Sequence, residues 1–334
     1  MPPGWAGCTG SAGGRPVCRK PPVLITNLLI SLPFFAMVGF GYLAGRLKMM
    51  PEAGITGLNV FVFNFSLPAL LFRLMANTRF EELINPAFMG AWLLTGVIVL
   101  GGTMALAMVL LRARAGEAAL YGLGAEFSNS GYLGIPLVAN LVGQKAAVAI
   151  ALTIVVDLGL MLPLVLLICE FSQGGRKSLR SSLWTISKGV LLNPFMGSIA
   201  LGGLVSFMGV GMPGPLDSLT ALLGAAAGPC ALFALGAVLA MRPVSGGTSE
   251  VALIVVGKLV WHPMVALVAM LWVFDVRPDW AVPAMLNAAI PPATNVFVLA
   301  ERYGMQAERI STAILVATVL AMFTFTGYTA VLRL

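Results

Sequence analysis

The chain has 334 residues, of which 59% are hydrophobic and only 10% are charged. A soluble domain of this size needs far more charge to cover its surface, so the composition excludes a soluble globular protein and indicates a membrane protein. The formal net charge of +7 does not indicate nucleic-acid binding, because the basic residues lie in short loops beside apolar runs, where they set membrane orientation.

Residues 1–22 are rich in Gly and Pro and predict a disordered tail. Ten apolar runs follow, and each is close to the roughly 20 residues that cross a ~30 Å hydrocarbon layer. Because lipid offers no partner for backbone polar groups, each run is predicted to be a helix, giving an all-α polytopic membrane protein with ten transmembrane helices. The predicted spans are residues 23–45, 55–76, 86–111, 118–142, 146–169, 186–209, 215–240, 249–274, 280–300 and 307–332.

Proline and glycine landmarks recur along the chain at one constant offset, since 194 − 33, 229 − 68 and 304 − 143 all equal 161. Several matches in one register predict an ancient duplication, which is typical of secondary transporters. The pairs are Pro33 and Pro194, Pro68 and Pro229, and Gly143 and Gly304.

The offset covers five spans, so the second half is expected to cross the bilayer in the opposite direction. This predicts two inverted five-helix repeats, residues 23–170 and 186–334, joined by a cytoplasmic linker at 171–185. With the N-terminus outside, the inner loops hold 11 basic residues and the outer loops with the C-terminus hold 4, leaving out the tail and the intramembrane residues. This asymmetry predicts a plasma (inner) membrane protein with both termini outside.

The fourth span carries a helix-breaking segment from Asn129 to Pro136. Gly131 and Gly134 loosen the helix, and Pro136 removes an amide donor and clashes with the preceding turn. Asn129 and Ser130 add polar side chains to the same segment. The alternative interpretation is a kink that serves packing alone, because Pro and Gly are common in membrane helices.

The ninth span carries the counterpart, in which Pro291 and Pro292 are hard to place in a continuous helix and Thr294 and Asn295 add polar groups. At the repeat offset, Gly134 corresponds to Asn295 and Gly131 to Pro292. Two breaks at equivalent places predict that helices four and nine cross near the midplane and form a binding site.

A broken helix exposes the amide donors and partial positive charge of its N-terminus, where an anion binds without a full cation beside it. The residues predicted to bind substrate therefore lie on these two segments, together with the bend of span two. They are Asn129, Ser130, Gly131, Gly134, Pro136, Pro291, Pro292, Thr294, Asn295, Asn64 and Pro68.

Four ionisable residues lie inside predicted spans, where a charge costs several kcal/mol and marks a functional candidate. Lys258 and His262 are four apart in span eight and share a helix face. Glu126 precedes Asn129 by one turn, and Asp157 lies midway in span five. They are candidates for ion coupling or charge pairing. The alternatives are snorkelling of Lys258 to the interface, a structural ion pair for Asp157 and a polar interhelical contact for Glu126.

These motifs resemble those of the auxin efflux carrier family, which includes bacterial malonate or malate transporters and the plant PIN carriers. The similarity runs from about residue 23 to the C-terminus. The matching stretches are Asn64 to Phe72, Asn129 to Pro136, Asn193 with Pro194, Glu301 to Gly304 and Ser311 to Ala313.

The resemblance implies ten helices, crossed broken helices four and nine, a scaffold with a mobile transport domain, elevator-type transport of an organic anion and a homodimer. It also implies that Asn129 contacts the substrate carboxylate. The plant carriers have charged residues in helix three, whereas residues 86–111 here contain no Asp, Glu, Lys, Arg or His. This departure separates the coupling chemistry of the chain from that of the plant carriers.

The sequence thus predicts a secondary active transporter of a mono- or dicarboxylate that works by alternating access, with H+ or Na+ as coupling ion and the lipid bilayer as its surroundings. The alternatives are a sodium-coupled organic-anion symporter of the same fold and a passive anion channel. No enzyme, cofactor or metal site is expected, since the chain has one His, no nucleotide-binding or nucleophile motif, and four cysteines without ligand spacing.

Overall fold

A computed structural model describes residues 23–174, 179–242 and 247–332. These residues are helical apart from turns and one isolated antiparallel bridge, which confirms the all-α class. The predicted disordered tail and residues 175–178 of the predicted linker lie outside the described ranges. The helices are α1 Val23–Arg46, α2 Glu52–Ala76, α3 Pro86–Leu110, α4 Ala115–Glu126, α5 Ser130–Val142, α6 Gln144–Ser172, α7 Leu179–Leu191, α8 Pro194–Met208, α9 Gly214–Met241, α10 Thr248–Val273, α11 Pro278–Ala288, α12 Asn295–Tyr303 and α13 Ala307–Val331.

Within the described ranges, seven helices are long and apolar enough to cross a membrane. The sixth predicted span differs from a straight helix, because α7 and α8 meet at a 60° bend before Pro194. Counting this pair as one span gives eight. The fourth and ninth predicted spans are each divided into two shorter helices, α4 with α5 and α11 with α12. The protein is therefore a polytopic membrane protein in which the fourth and ninth predicted spans are interrupted and the sixth is bent.

Wide π-helical turns precede four prolines in the same register. The turns Val62–Ser66, Ser130–Gly134, Asp157–Met161 and Gly257–Trp261 each end two residues before a proline. A proline lacks an amide hydrogen and its ring pushes against the preceding turn, and a widened turn accommodates both effects. Asp157 and Lys258, two of the predicted intramembrane charges, lie within these turns. The prolines are Pro68, Pro136, Pro163 and Pro263.

The closest helix packing is reciprocal between the two halves. α1 packs along α9, and α8 packs along α2. A methyl group on Gly41 of α1 would overlap the carbonyl oxygen of Phe233, and one on Gly202 of α8 would lie 2.5 Å from the carbonyl oxygen of Phe72. Since 202 − 41 and 233 − 72 both equal 161, each contact is the repeat equivalent of the other.

The two interrupted segments pair with each other through their backbones. The amide of Asn129 donates to the carbonyl of Pro291 at 3.1 Å, and the amide of Ala293 donates to the carbonyl of Phe127 at 2.9 Å. Ser128 therefore lies opposite Pro292 in an antiparallel bridge. This pairing is a contact between the two segments, which is a separate relation from the repeat offset that aligns Gly131 with Pro292.

Candidate functional site

A small polar cavity lies where the crossing segments meet α2, α6 and α8. Its volume is about 50 Å³, which is more than one water molecule needs. Six residues predicted from the sequence line it: Asn129, Ser130, Gly131, Asp157, Thr294 and Asn295. The remaining wall is formed by Phe63, Phe127, Ser128, Tyr132, Ile154, Leu158, Asn193, Phe195 and Ala293.

Two helix N-termini lie at this cavity. In α5, the first helical bonds run from Leu133 and Gly134 to the carbonyl of Asn129, so the amides before them have no acceptor within the helix. In α12, the first backbone hydrogen bond runs from the amide of Val296 to the carbonyl of Ala293 at 3.2 Å. Both helix dipoles place partial positive charge at the cavity, an arrangement that favours an anion.

Asn129 provides a free hydrogen-bond donor at the same place. The residue is only 4% exposed, and its Nδ2 has no hydrogen-bond partner within the described ranges. A buried amide donor without a partner costs about 1–3 kcal/mol, a cost that a bound acceptor removes. Asn129 is therefore buried, lies at the cavity and has a donor suited to a carboxylate.

The predicted charge Lys258 lies behind the cavity wall and is fully buried. Its Nζ donates to the carbonyl of Glu126 at 2.8 Å and to Ser128 Oγ, and lies 2.9 Å from Nδ1 of His262. The ammonium thus caps the C-terminus of α4, where the helix dipole is negative. Such a buried position is incompatible with snorkelling of Lys258 to the interface.

Two acidic side chains share this buried cluster. Asp157 accepts a hydrogen bond from Nε1 of Trp92 at 2.6 Å, and the Trp92 ring lies 5.3 Å from that of His262. Both carboxylate oxygens of Glu126 are buried without a partner in the described part of the chain. With both carboxyl groups ionised, Lys258 protonated and His262 neutral, the cluster would carry a formal charge of −1, which one proton would neutralise.

A second cavity of about 240 Å³ lies beside the first, and the two share Leu158 and Asn193 in their walls. It extends past α7 to Glu170, Arg302 and Tyr303, at the side of the molecule that holds the predicted cytoplasmic linker. The polar cavity therefore has a neighbouring void that leads toward this side.

The other six predicted binding residues do not line the cavity. Pro291 and Pro292 form the backbone crossing, and Gly134 faces Asn287 in α11. Pro136 lies against Gly228 of α9. Pro68 is buried in α2 behind its π turn. Asn64 is exposed and donates to the carbonyl of Val60 in its own helix at 3.0 Å, so the structure does not bring its side chain to the cavity.

Several polar residues of the site were not predicted as site residues from the sequence. Ser128 binds the ammonium of Lys258, Trp92 holds Asp157, and Asn193 lines both cavities. Asn287 is fully buried and donates to Ser130. An Asn within an apolar run is costly to bury without partners, and that cost was the signal that would have marked Asn287.

A bundle of long apolar helices around a polar cavity walled by interrupted helices defines a membrane transporter. The comparison with known proteins agrees with this class. The chain belongs to the Membrane transport protein family, that of the auxin efflux carriers, whose model matches residues 28–329. This confirms the resemblance found in the sequence, and the family consists of transporters rather than enzymes.

Two of the relatives are matched over nearly the full length of both proteins. A protein of Rhizobium meliloti named "Putative malonate transporter" is 34% identical over 309 residues, which cover 92% of this chain and 96% of that protein. An "Uncharacterized transporter" of Methanothermobacter thermautotrophicus is 24% identical over 308 residues, covering 90% and 97%. A "Probable auxin efflux carrier component 5a" of Oryza sativa is 26% identical over 166 residues, covering 46% and 45%.

Proposed function

We propose that this protein is a secondary active transporter of a small carboxylate, and that the carboxylate binds in the cavity at the crossing. The observation that carries the proposal is the buried Nδ2 of Asn129, which has no partner in the described structure and lies beside two helix N-termini. All three groups donate hydrogen bonds or present partial positive charge, so an ionised carboxylate complements them. The name of the Rhizobium relative makes malonate the first substrate to test.

We propose two inverted five-helix repeats, residues 23–170 and 186–334, as the architecture. The reciprocal contacts of Gly41 with Phe233 and of Gly202 with Phe72 support this symmetry. The two pairs α1–α9 and α8–α2 form the scaffold. The remaining helices form the transport domain, which moves against the scaffold as an elevator and carries the crossing with it.

Cavity walls come from both parts of this division. Phe63 and Phe195 of the scaffold pack as a tilted pair with ring centroids 4.7 Å apart, and both line the cavity. Tyr132 of the transport domain donates to Oδ1 of Asn59 in the scaffold at 3.3 Å. A substrate bound between the two parts would pass from one side to the other when they slide, which supports the elevator mechanism.

Proton coupling follows from the charge of the buried cluster. Asp157 lines the cavity, so its negative charge would repel a carboxylate unless a proton or Lys258 compensates. Glu126, Lys258 and His262 belong to the same cluster, in which the carboxylate of Asp157 or Glu126 accepts the one proton that makes it neutral. We propose that the carboxylate and this proton travel together.

Sodium coupling is the less favoured alternative. A sodium ion at the crossing requires backbone carbonyls and side-chain oxygens as ligands. Lys258 already occupies the carbonyl of Glu126 and the hydroxyl of Ser128 with its own positive charge. The ammonium thus serves as a fixed cation where the coupling ion would otherwise bind.

The second cavity supports an access route from the cytoplasmic linker side, with both termini on the outside of the plasma membrane. Arg302 lies along this void, where its charge attracts anions. We propose that substrate reaches Asn129 from this side in the state that the structure represents.

The test is uptake of radiolabelled malonate, succinate and lactate into proteoliposomes, together with thermal-shift measurements on the purified protein. Asn129→Ala should abolish ligand stabilisation and leave the unliganded melting temperature within a few degrees of the wild type. Asn64→Ala is the matched control, because Asn64 is exposed and binds its own helix. Malonate stabilisation that survives Asn129→Ala would refute the site.

Transport with no counterflow exchange and with a flux far above that of a carrier would refute the secondary transporter in favour of a passive anion channel. Uptake that requires Na+ at fixed pH would refute the proton as the coupling ion and leave the assignment of the substrate cavity intact.

A further inference from the structure

Asn287 lies in α11, behind the cavity wall, and links three parts of the transport domain. Its Nδ2 donates to Ser130 Oγ and to Thr153 Oγ1, both at 3.0 Å. These two contacts use both hydrogens of the amide group. Asn287 therefore joins the first half of the interrupted ninth span to the start of α5 and to α6.

The hydroxyl of Thr153 determines which way the amide of Asn287 is turned. Thr153 donates its own hydrogen to the carbonyl of Ile150 at 2.7 Å, so the Asn287 atom beside it must be a donor. That atom is Nδ2. Oδ1 then faces Gly134, where a methyl group would lie only 2.6 Å away, so this amide orientation needs glycine at 134.

The orientation of Asn287 in turn decides the role of Ser130. A serine hydroxyl has one hydrogen to donate and two lone pairs that accept. Asn287 occupies a lone pair, and the hydroxyl hydrogen points to the carbonyl of Ser128 at 3.4 Å, which is a long hydrogen bond. The hydrogen of Ser130 is thus weakly engaged at a residue that lines the cavity.

We propose that Asn287 is a positioning residue that presents the hydroxyl of Ser130 as a hydrogen-bond donor to the carboxylate in the cavity. The proposal rests on the carboxylate site described above and deepens it. An ionised carboxylate accepts hydrogen bonds at both oxygens, whereas a primary amide has one acceptor oxygen and one NH₂ donor, so the amide cannot accept from both Ser130 and Nδ2 of Asn129. The pair Ser130 and Asn287 therefore selects ionised carboxylates over amides of the same shape.

The test is a double-mutant cycle on the full-length protein, with malonate and its monoamide as titrants. Ser130→Ala and Asn287→Ala should each weaken malonate binding by about tenfold. The double variant should bind no more weakly than either single variant, because both remove the same donor. Both single variants should also lower the preference for malonate over the monoamide by the same factor.

Thr153→Val removes the acceptor that orients Asn287 and keeps the side-chain volume, so it should weaken malonate binding in the wild type and have no further effect in Ser130→Ala. Thr318→Val is the matched control, because the buried hydroxyl of Thr318 donates to the carbonyl of Ile314 in its own helix, and malonate affinity should stay within about twofold of the wild type. Gly134→Ala is the second variant, which displaces Asn287 without deleting it. It should weaken binding in the wild-type background and have no further effect in Ser130→Ala.

Additive effects in the cycle, or wild-type affinity in Asn287→Ala, would overturn the positioning role while the carboxylate site stands. If Asn287→Ala does not fold, wild-type affinity in Gly134→Ala would overturn that role in the same way. A wild-type protein that binds none of the carboxylates would instead reject the site itself, and the role of Asn287 with it.

Discussion

Lys258 donates its ammonium to the backbone carbonyl of Glu126 at 2.8 Å, so a buried cation on α10 terminates α4 at the crossing. The contact joins the eighth predicted span to the fourth across 132 residues of sequence. It also places the one positive charge of the cluster beside the carboxylates of Glu126 and Asp157. We therefore expect the Lys258 side chain to affect both the stability of the fold and the proposed coupling to protons.

Replacing Lys258 by Met should destabilise the protein. The change removes the cap on α4 and leaves two buried carboxyl groups without a cation, a loss of about 3 kcal/mol. Thermal unfolding in detergent measures the effect. Lys145→Met is the control, because Lys145 is exposed at the start of α6 and should leave the melting temperature unchanged. An unaltered melting temperature for Lys258→Met would show that the cap contributes nothing.

Alanine at Gly41 or Gly202 should destabilise the scaffold by about 1–3 kcal/mol, because the added methyl meets a backbone carbonyl that has no room to move. The two variants should behave alike if the contacts are symmetry equivalents. Gly39→Ala lies nearby in the same helix with open space around it and should be neutral or slightly stabilising. Denaturant titration of the three variants compares them, and equal stability for Gly39→Ala and Gly41→Ala would contradict the packing.

Asp157→Asn should separate exchange from proton-driven uptake. The amide keeps the shape and removes the charge that a proton neutralises, so counterflow exchange of malonate persists while accumulation driven by a pH gradient is lost. Uptake at fixed voltage with and without the gradient is the measurement. Asp275→Asn, an exposed isosteric change beyond α10, should accumulate substrate as the wild type does. Gradient-driven uptake by Asp157→Asn would remove Asp157 from the coupling mechanism.

A cysteine pair across the proposed sliding boundary should arrest transport. A methyl on Gly228 of α9 would lie 3.3 Å from Cβ of Pro136 in α5, close to the Cβ separation of a disulfide, so Pro136→Cys with Gly228→Cys should form one once the natural cysteines are replaced by Ser. Oxidation should stop exchange, and reduction should restore it. Each single cysteine variant is the control. Undiminished exchange in the oxidised pair would contradict motion between α9 and α5.

The sequence alone predicted the broad fold and the position of the cavity. Apolar runs identified the helices, and the prolines near Asn129 and Asn295 marked the interruptions, because these signals are local. The backbone pairing at the crossing was not predicted, since pairing between distant segments has no local signature. Asn64 was predicted to bind substrate because it lies near Pro68, but its side chain donates a hydrogen bond to the carbonyl of Val60 in its own helix.

The partners of the buried charges were also beyond sequence reasoning. Lys258 and His262 share a face by spacing, as expected. Lys258 donates to the backbone carbonyl of Glu126, and this contact depends on where α4 ends in three dimensions, which the spacing of residues does not show. The same holds for Trp92 and Asp157, which lie 65 residues apart and meet only through helix packing.

The π turns ahead of the four prolines change how these helices present their side chains. A π turn holds one residue more than an α-helical turn, so every later position is rotated by about 100° relative to a regular helix. Asp157 and Lys258 stand at the start of such shifts. A helical wheel drawn through either proline therefore assigns lipid-facing and interior positions wrongly, and removing one residue from a π turn would turn the whole far end of the helix to a new neighbour.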